Sequence, residues 1–143
     1  TSFEVGCMAY HPAHDHFHIN DFASYELKDL FGNVVRSSAK VTFCIIDIHR
    51  TYPTLPGSPN GPHYNICNRN STQGLSIGWS DEYSSVLAGQ YIDIAGVADG
   101  DYCLVSTADP DDQLMESDDN NNSSAIKINL NGTTVTSDPN TSC

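Results

Sequence analysis

The sequence predicts an all-β protein, an antiparallel β-sandwich with long loops that is stapled by disulfides. Three observations predict this class. No segment has the spacing of apolar residues that a long amphipathic helix requires. Short β-rich segments recur instead, each bounded by turn residues. Five cysteines are spread along the 143 residues without a Cys-x-x-Cys pair, which favours disulfides over a structural zinc site.

Five segments have the residue pattern of strands: 22–27, 41–48, 91–97, 102–107 and 125–130. The second is almost continuously apolar, as a buried strand is. The third alternates and is followed by Asp99-Gly100, a strong hairpin signal that predicts a tight turn into the fourth. The fifth alternates again, so that Ile126, Ile128 and Leu130 share one face.

Residues 50–70 differ from these segments because they are rich in Pro, Gly, Asn and Tyr. We expect a long ordered loop here, which a Cys44–Cys67 disulfide would close. Spacing alone does not fix the pairing of five cysteines, and the odd count leaves at least one thiol free or linked outside the chain. Residues 109–122 form a second polar stretch, dense in acidic and amide side chains.

The chain is predicted to be one domain over residues 1–143, long enough to bury a core. About five strands make a thin sandwich, and no strand-length pattern precedes Cys7. We therefore expect that N-terminal strands of the fold are absent or are supplied by another polypeptide chain.

The charge of the chain excludes several classes of partner. Asp and Glu outnumber Lys and Arg by 18 to 6, which gives a net charge of −12. Such a surface repels nucleic acids and favours cationic partners, including lysine-rich polypeptides. No apolar run approaches the roughly 20 residues of a membrane span. The cysteines and the glycosylation sequons at Asn70, Asn121, Asn122, Asn131 and Asn140 predict a secreted, extracellular glycoprotein.

His14, His16 and His18 alternate with single residues. Side chains at this spacing in an extended segment lie on one face, with neighbouring members about 7 Å apart, so modest bending would focus them on one ion. Imidazole suits copper, zinc, iron and nickel, and a three-histidine site with one open position is also a zinc arrangement. The triplet alone leaves copper and zinc open, as well as an edge strand that binds no metal.

Several segments together resemble the lysyl oxidase catalytic domain, in its microbial form more than its animal form. They are residues 14–18 (His-Asp-His-Phe-His), 39–44 (Ala-Lys-Val-Thr-Phe-Cys), 72–83 (ending Trp-Ser-Asp-Glu-Tyr) and 116–122 (Glu-Ser-Asp-Asp-Asn-Asn-Asn). Residues 90–94 and 99–102 match as well. The resemblance covers most of the chain, from about Cys7 to Asn122.

The resemblance implies two cofactors. His14, His16 and His18 fall on the copper ligands of the family. Lys40 and Tyr83 fall on the pair that cross-links into lysine tyrosylquinone, a cofactor made from the protein itself. Read alone, Lys40 would be a solvated lysine at a strand edge, and Tyr83 an ordinary packed aromatic. Asp81 could be the proton-abstracting base or orient a water, although a loop carboxylate also serves as a turn cap. His11 could be an outer group near the metal or a solvent-exposed histidine.

A calcium site is also implied, at Glu116, Asp118, Asn121 and Asn122. Carboxylate and amide oxygens are the ligands that calcium takes. The alternative is an ordinary acidic turn between two strands.

The implied function is oxidative deamination of primary amines, peptidyl-lysine or small amines, to aldehydes with release of hydrogen peroxide and ammonia. Its substrate would be a cationic amine or a lysine-containing protein. A second hypothesis is a non-catalytic extracellular module, such as a filament, matrix or adhesion component, whose metal and disulfides serve stability or assembly. A three-histidine zinc hydrolase is a weaker third, because no recognised glutamate base accompanies the triplet.

Overall fold

The structure, a computed structural model, describes residues 8–143 except residues 40, 115, 117, 139, 140 and 142. The described residues form strands and no helix, which confirms the prediction of an all-β, antiparallel fold. Consequently, nothing in this part of the chain is a helix long and apolar enough to cross a membrane. The strands are β1 (Met8–His11), β2 (His16–Lys28), β3 (Val34–Ser37), β4 (Val41–Phe43), β5 (Gly100–Ala108), β6 (Ser123–Asn131) and β7 (Thr134–Asp138).

These strands belong to one sheet with the order β1-β2-β5-β6-β7, and β3 and β4 also pair with β2. The 13-residue β2 is therefore the strand on which most of the sheet is assembled. It pairs antiparallel with β1 from His11 opposite His16 to Met8 opposite Ile19. Further along, the same strand pairs antiparallel with β5, where Leu27 lies opposite Leu104.

The chain forms two compact units, and β2 contributes residues to both. The first unit contains the residues up to Asn20 together with Thr42–Ser84, and it holds the histidine triplet and the long loop. The second contains Asp21–Val41 together with Ser85–Cys143, and it holds β5, β6 and β7.

The core of the second unit is centred on Leu27, Ile128 and Leu130, which are 1 to 7% exposed. Ile126 packs against them, so the face predicted for residues 125–130 is the one that is buried. Burying a side chain of this size contributes roughly 1.5–3 kcal/mol. The core therefore fixes which face of β6 points inward.

Residues 91–97 were predicted to form a strand, and this prediction is wrong. The Val97 amide donates to the Ile94 carbonyl over 3.0 Å, and Gly96 between them has a φ of +75°. The Asp93 carboxylate accepts the amide of Ala95, which makes a second local turn. Ile92 and Ile94 still pack against the core. Their burial produces the strand-like pattern without strand pairing, so Asp99-Gly100 joins no hairpin. The predicted strand 102–107 lies within β5, which begins two residues earlier, at Gly100.

The apolar segment 41–48 is a strand only over Val41–Phe43. Beyond it, side-chain oxygens accept two of the backbone amides, while the amides of Asp47 and Ile48 donate to the carbonyls of Tyr64 and Ser80. The Ile45 amide donates to Gln73 and the Ile46 amide donates to Asp81. Most of the segment is buried without pairing as a strand, although Ile48 is exposed. The sequence pattern could not distinguish this kind of burial from that of a buried strand.

The described residues contain two disulfides, Cys44–Cys67 and Cys103–Cys143. The first closes the long loop, as predicted, and residues 50–70 contain no strand. The fifth cysteine, Cys7, lies outside the described residues.

Candidate functional site

The histidine triplet lies at a tight turn between β1 and β2. His11 ends β1 and pairs with His16, the first residue of β2. The His14 amide donates to the His11 carbonyl over 3.1 Å, and Asp15 has a φ of +55°. The segment is thus extended only from His16 onward. His16 and His18 share one face of β2, as predicted, whereas His14 joins them from the turn.

The three imidazoles converge on one point. His18 Nε2 lies 3.0 Å from His16 Nε2 and 3.4 Å from His14 Nδ1. Three nitrogens bound to one ion at roughly 2.0–2.1 Å stand about 3 Å apart, so the observed spacing fits a metal. His16 Nδ1 lies 2.8 Å from the His14 carbonyl oxygen, which can only accept. The Nδ1 of His16 therefore carries the proton and its Nε2 presents a lone pair to the cluster.

His18 is the buried member of the triplet, with 8% of its surface exposed. Burial lowers the pKa of His18, and the neighbouring histidines lower it further. Its Nδ1 lies 3.2 Å from the Thr42 hydroxyl, which orients the ring. A neutral, oriented imidazole is the form that binds a metal ion.

A fourth ring, that of His11, packs against the triplet. Its centroid lies 4.4 Å from that of His14 and 4.9 Å from that of His18, with which it is stacked. His11 thus lies next to the cluster and is also solvent-exposed, so the structure agrees with both sequence interpretations. The signal was available in the spacing, because two residues between His11 and His14 allow a tight turn to bring the rings together.

Sequence reasoning missed the group that holds this turn. Arg69 donates to the Asp15 carboxylate over 2.7 Å and to the Tyr10 hydroxyl oxygen over 2.6 Å. The Tyr10 hydroxyl in turn donates to Asp15. Hydrogen bonds from Tyr10 and from Arg69 lower the pKa of Asp15. These residues, which we call the Tyr10–Asp15–Arg69 clamp, fix the turn from which His14 reaches the cluster. No sequence spacing connects Arg69 to residues so distant along the chain.

Tyr83 is half-buried and stacks on Phe43, with ring centroids 3.7 Å apart. Its hydroxyl donates to the Cys44 carbonyl. Burial raises the pKa of Tyr83, and the charge of Asp81 raises it further. The phenol is therefore neutral at physiological pH. Its partner in the sequence hypothesis, Lys40, lies outside the described residues.

Tyr83 and His18 contact neighbouring residues of β4 and do not contact each other in the described part of the chain. Thr42 and Phe43 are consecutive on β4, so their side chains leave opposite faces of the strand. Thr42 contacts His18, whereas Phe43 contacts Tyr83. Among the described residues, no hydrogen bond or ring contact joins Tyr83 to a histidine of the cluster.

Asp81 is close to Tyr83 and has one carboxylate oxygen available. Its Oδ2 accepts the Ile46 amide over 3.0 Å, while its Oδ1 is buried and has no hydrogen-bond partner in the described part of the chain. Burial raises the pKa of this carboxyl group. A carboxylate with a raised pKa and a free oxygen has the properties of a proton acceptor.

The structure brings two of the predicted calcium ligands together. The Asn122 amide donates to the Glu116 carboxylate over 2.9 Å. Asp118 instead accepts both the backbone and the side-chain amide of Asn120 over 3.1 Å. Asn121 is exposed.

The fold and these side chains define a disulfide-stapled β protein with a candidate metal centre and a separate, half-buried tyrosine–carboxylate pair. The sequence model of the lysyl oxidase family matches residues 4–139, and the chain belongs to this family. The resemblance identified from the sequence motifs is thereby confirmed.

Individual relatives agree with this assignment. The chain is 32% identical over 125 residues to protein-lysine 6-oxidase of Sus scrofa, which covers 86% of this chain and 47% of the relative. It is 32% identical to lysyl oxidase homolog 1 of Homo sapiens over 86% of this chain and 20% of the relative. With lysyl oxidase homolog 4 of Mus musculus the identity is 30%, over 88% of this chain and 16% of the relative. The chain thus spans less than half the length of these relatives.

Proposed function

We propose that this chain is a secreted, copper- and quinone-dependent amine oxidase of the lysyl oxidase type. It would convert primary amines, either peptidyl-lysine or small amines, to aldehydes and release hydrogen peroxide and ammonia. The observation that carries the proposal is the convergence of His14, His16 and His18 nitrogens in a member of this family. The two disulfides support an extracellular location.

The histidine cluster would hold copper. Its three nitrogens have the spacing that one ion needs, and imidazole binds Cu²⁺ more tightly than Zn²⁺ on the general order of affinities. When present, copper and a lysine tyrosylquinone made from Lys40 and Tyr83 would supply the electron-accepting chemistry that side chains lack. The chain itself would position the amine and move its protons.

Asp81 would be the residue that takes a proton from the substrate. Burial raises its pKa, so it binds a proton more readily than an exposed aspartate does. Its Oδ1, which is buried without a hydrogen-bond partner in the described part of the chain, would accept the proton once the substrate opens access to it. The conservative variant Asp81→Asn keeps an oxygen for the Ile46 amide and removes the basic group. We expect this variant to lose most of its kcat while it still forms the cross-link.

The test of the proposed function is a cross-link. In copper-loaded, aerated protein, Lys40 and Tyr83 should occur in one linked peptide that has gained an oxygen atom and lost about 4 Da of hydrogen. The same material should release peroxide when it is given a lysine-containing peptide. The variant His16→Ala should abolish both results, whereas His63→Ala, outside the cluster, should abolish neither. Recovery of Lys40 and Tyr83 as separate, unmodified peptides would contradict the proposal.

We also propose that Glu116, Asp118, Asn121 and Asn122 bind calcium. The contact between Asn122 and Glu116 supports this site, since both side chains carry oxygen ligands. Calcium at 100 times its Kd would add about 2.7 kcal/mol to stability. Chelation should therefore lower the Tm of the protein but not that of Glu116→Gln. An unchanged Tm in both would exclude the site.

A further inference from the structure

The ring of His16 lies between two groups of potential metal ligands. One group is the histidine cluster. The other consists of His16 with Cys44 and Cys67, whose ligand atoms lie within 4.8 Å of one another. The two cysteines form a disulfide here, so they offer no thiolate in this state. Each of their sulfur atoms nevertheless lies within 4.8 Å of a ring nitrogen of His16.

We infer that Cys44 and Cys67, in their thiol form, build a second metal site with His16, and that this site cannot be filled together with the histidine site. Two thiolates and an imidazole are a ligand set for Zn²⁺ or Cu⁺, which favour sulfur. The site goes beyond the proposed amine oxidase function and does not depend on it.

The geometry supports three ligands from this group. The hydrogen bond from His16 Nδ1 to the His14 carbonyl leaves Nε2 as the only lone pair that the ring can offer. Zn–S bonds of about 2.3 Å place two thiolates about 3.8 Å apart, so the sulfurs need only separate after the disulfide opens. Cys67 can make this movement, because it lies in the long loop, while Cys44 is buried at the end of β4.

The opening step balances with a phosphine as reductant. The S–S bond breaks, phosphorus is oxidised to the phosphine oxide with oxygen from water, and the two protons of that water go to Cys44 and Cys67. Each thiol then loses its proton when it binds the metal. A newly made chain reaches the same thiol state without any reductant. Oxidation by a small-molecule disulfide, which takes up the two electrons and two protons and leaves as two thiols, would then close the Cys44–Cys67 bond, release the sulfur-bound metal and free His16 for the histidine cluster.

Cobalt(II) provides the probe, because thiolate ligands give it an intense near-ultraviolet charge-transfer band that imidazole does not give. We expect the phosphine-reduced full chain to show this band. The variant Cys103→Ser/Cys143→Ser should retain it, and Cys44→Ser/Cys67→Ser should lack it. In the reduced chain, His16→Ala should weaken cobalt binding at least about tenfold, and His14→Ala should weaken it far less. In the oxidised chain the two histidine variants should weaken binding alike.

Three results would overturn the inference. The first is the absence of a thiolate band, and the second is a band that survives in Cys44→Ser/Cys67→Ser. The third is an equal effect of the two histidine variants on the reduced chain. If reduction unfolds the protein, circular dichroism is used to test the site. Recovery of the native spectrum on addition of cobalt supports the site, and failure to recover it counts against the site. None of these readouts measures amine oxidation, so they remain distinct from the test of the proposed function.

Discussion

Asp47 is a single residue that organises much of the first unit. It is 5% exposed, and its carboxylate accepts the backbone amides of His63, Tyr64 and Ser76. The Ser76 hydroxyl donates to it as well. Burial by itself would raise the pKa of Asp47, but these hydrogen bonds outweigh burial and lower it. The charged carboxylate therefore stabilises the long loop around it.

Replacing Asp47 by Asn should destabilise the protein by about 3 kcal/mol, because an amide group would face donors that need an acceptor. The lowered pKa also sets a pH dependence. The stabilisation is fully present above the ordinary pKa of 3.8 and is lost as pH falls through the lowered folded value. Urea unfolding between pH 3 and 7 measures both effects. Asp93→Asn is the control, since its amide oxygen can still accept from Ala95. Equal stability of the two variants would contradict this account.

The β1–β2 hairpin carries the candidate metal centre, and the Tyr10–Asp15–Arg69 clamp fixes its turn. The clamp is largely exposed, so it contributes little to the free energy of unfolding. Its main effect is to fix the geometry of the turn. We expect Arg69→Met to lower copper affinity by up to about tenfold, because the variant loses the nitrogen that donates to both Asp15 and Tyr10. Metal titration measures the change, with Arg36→Met on β3 as the control. An unchanged affinity together with unchanged hydrogen exchange in the turn would show that the clamp does not position the histidines.

The loop before Asp81 depends on a glycine. Gly78 has a φ of +77°, and a side chain there would place its first carbon 2.5 Å from the Tyr52 carbonyl oxygen. Gly78→Ala should therefore cost about 3 kcal/mol in the free energy of unfolding. Gly61→Ala, where nothing lies within 4 Å, should cost less than about 1 kcal/mol. Denaturant unfolding of the two variants tests this, and similar values would contradict it.

Sequence reasoning succeeded where a pattern was local. Alternation in β6 predicted its buried face, and the spacing of His16 and His18 predicted their common side of β2. It failed at residues 91–97, since apolar side chains on a turn alternate as they do on a strand. The clamp could not be predicted, because the contact of Arg69 with Asp15 depends on how the long loop returns across the hairpin. That path is set by tertiary packing and by the Cys44–Cys67 disulfide.

At the scale of the whole molecule, the net charge of −12 makes a prediction about substrates. Long-range attraction to a cationic polypeptide weakens as salt screens it over a Debye length of about 8 Å at physiological ionic strength. On the proposed function, kcat/KM for a lysine-rich peptide should fall more steeply with added salt than kcat/KM for a small amine with one charge. Peroxide release at several salt concentrations measures both slopes. Parallel slopes would show that the overall charge does not steer the substrate.

The proposed cofactor requires a chemical maturation of the folded chain itself. Tyr83 is a phenol that stacks on Phe43 and donates to the Cys44 carbonyl, so on the proposed chemistry it must still be oxidised before it becomes part of a cofactor. On the proposed chemistry, the unmodified chain is therefore a precursor, and its maturation is a one-time event for each molecule. The new covalent bond between Lys40 and Tyr83 would make this maturation irreversible. The measured activity would then be proportional to the fraction of chains that carry the cross-link. A single preparation would contain two chemically distinct populations, one cross-linked and one not.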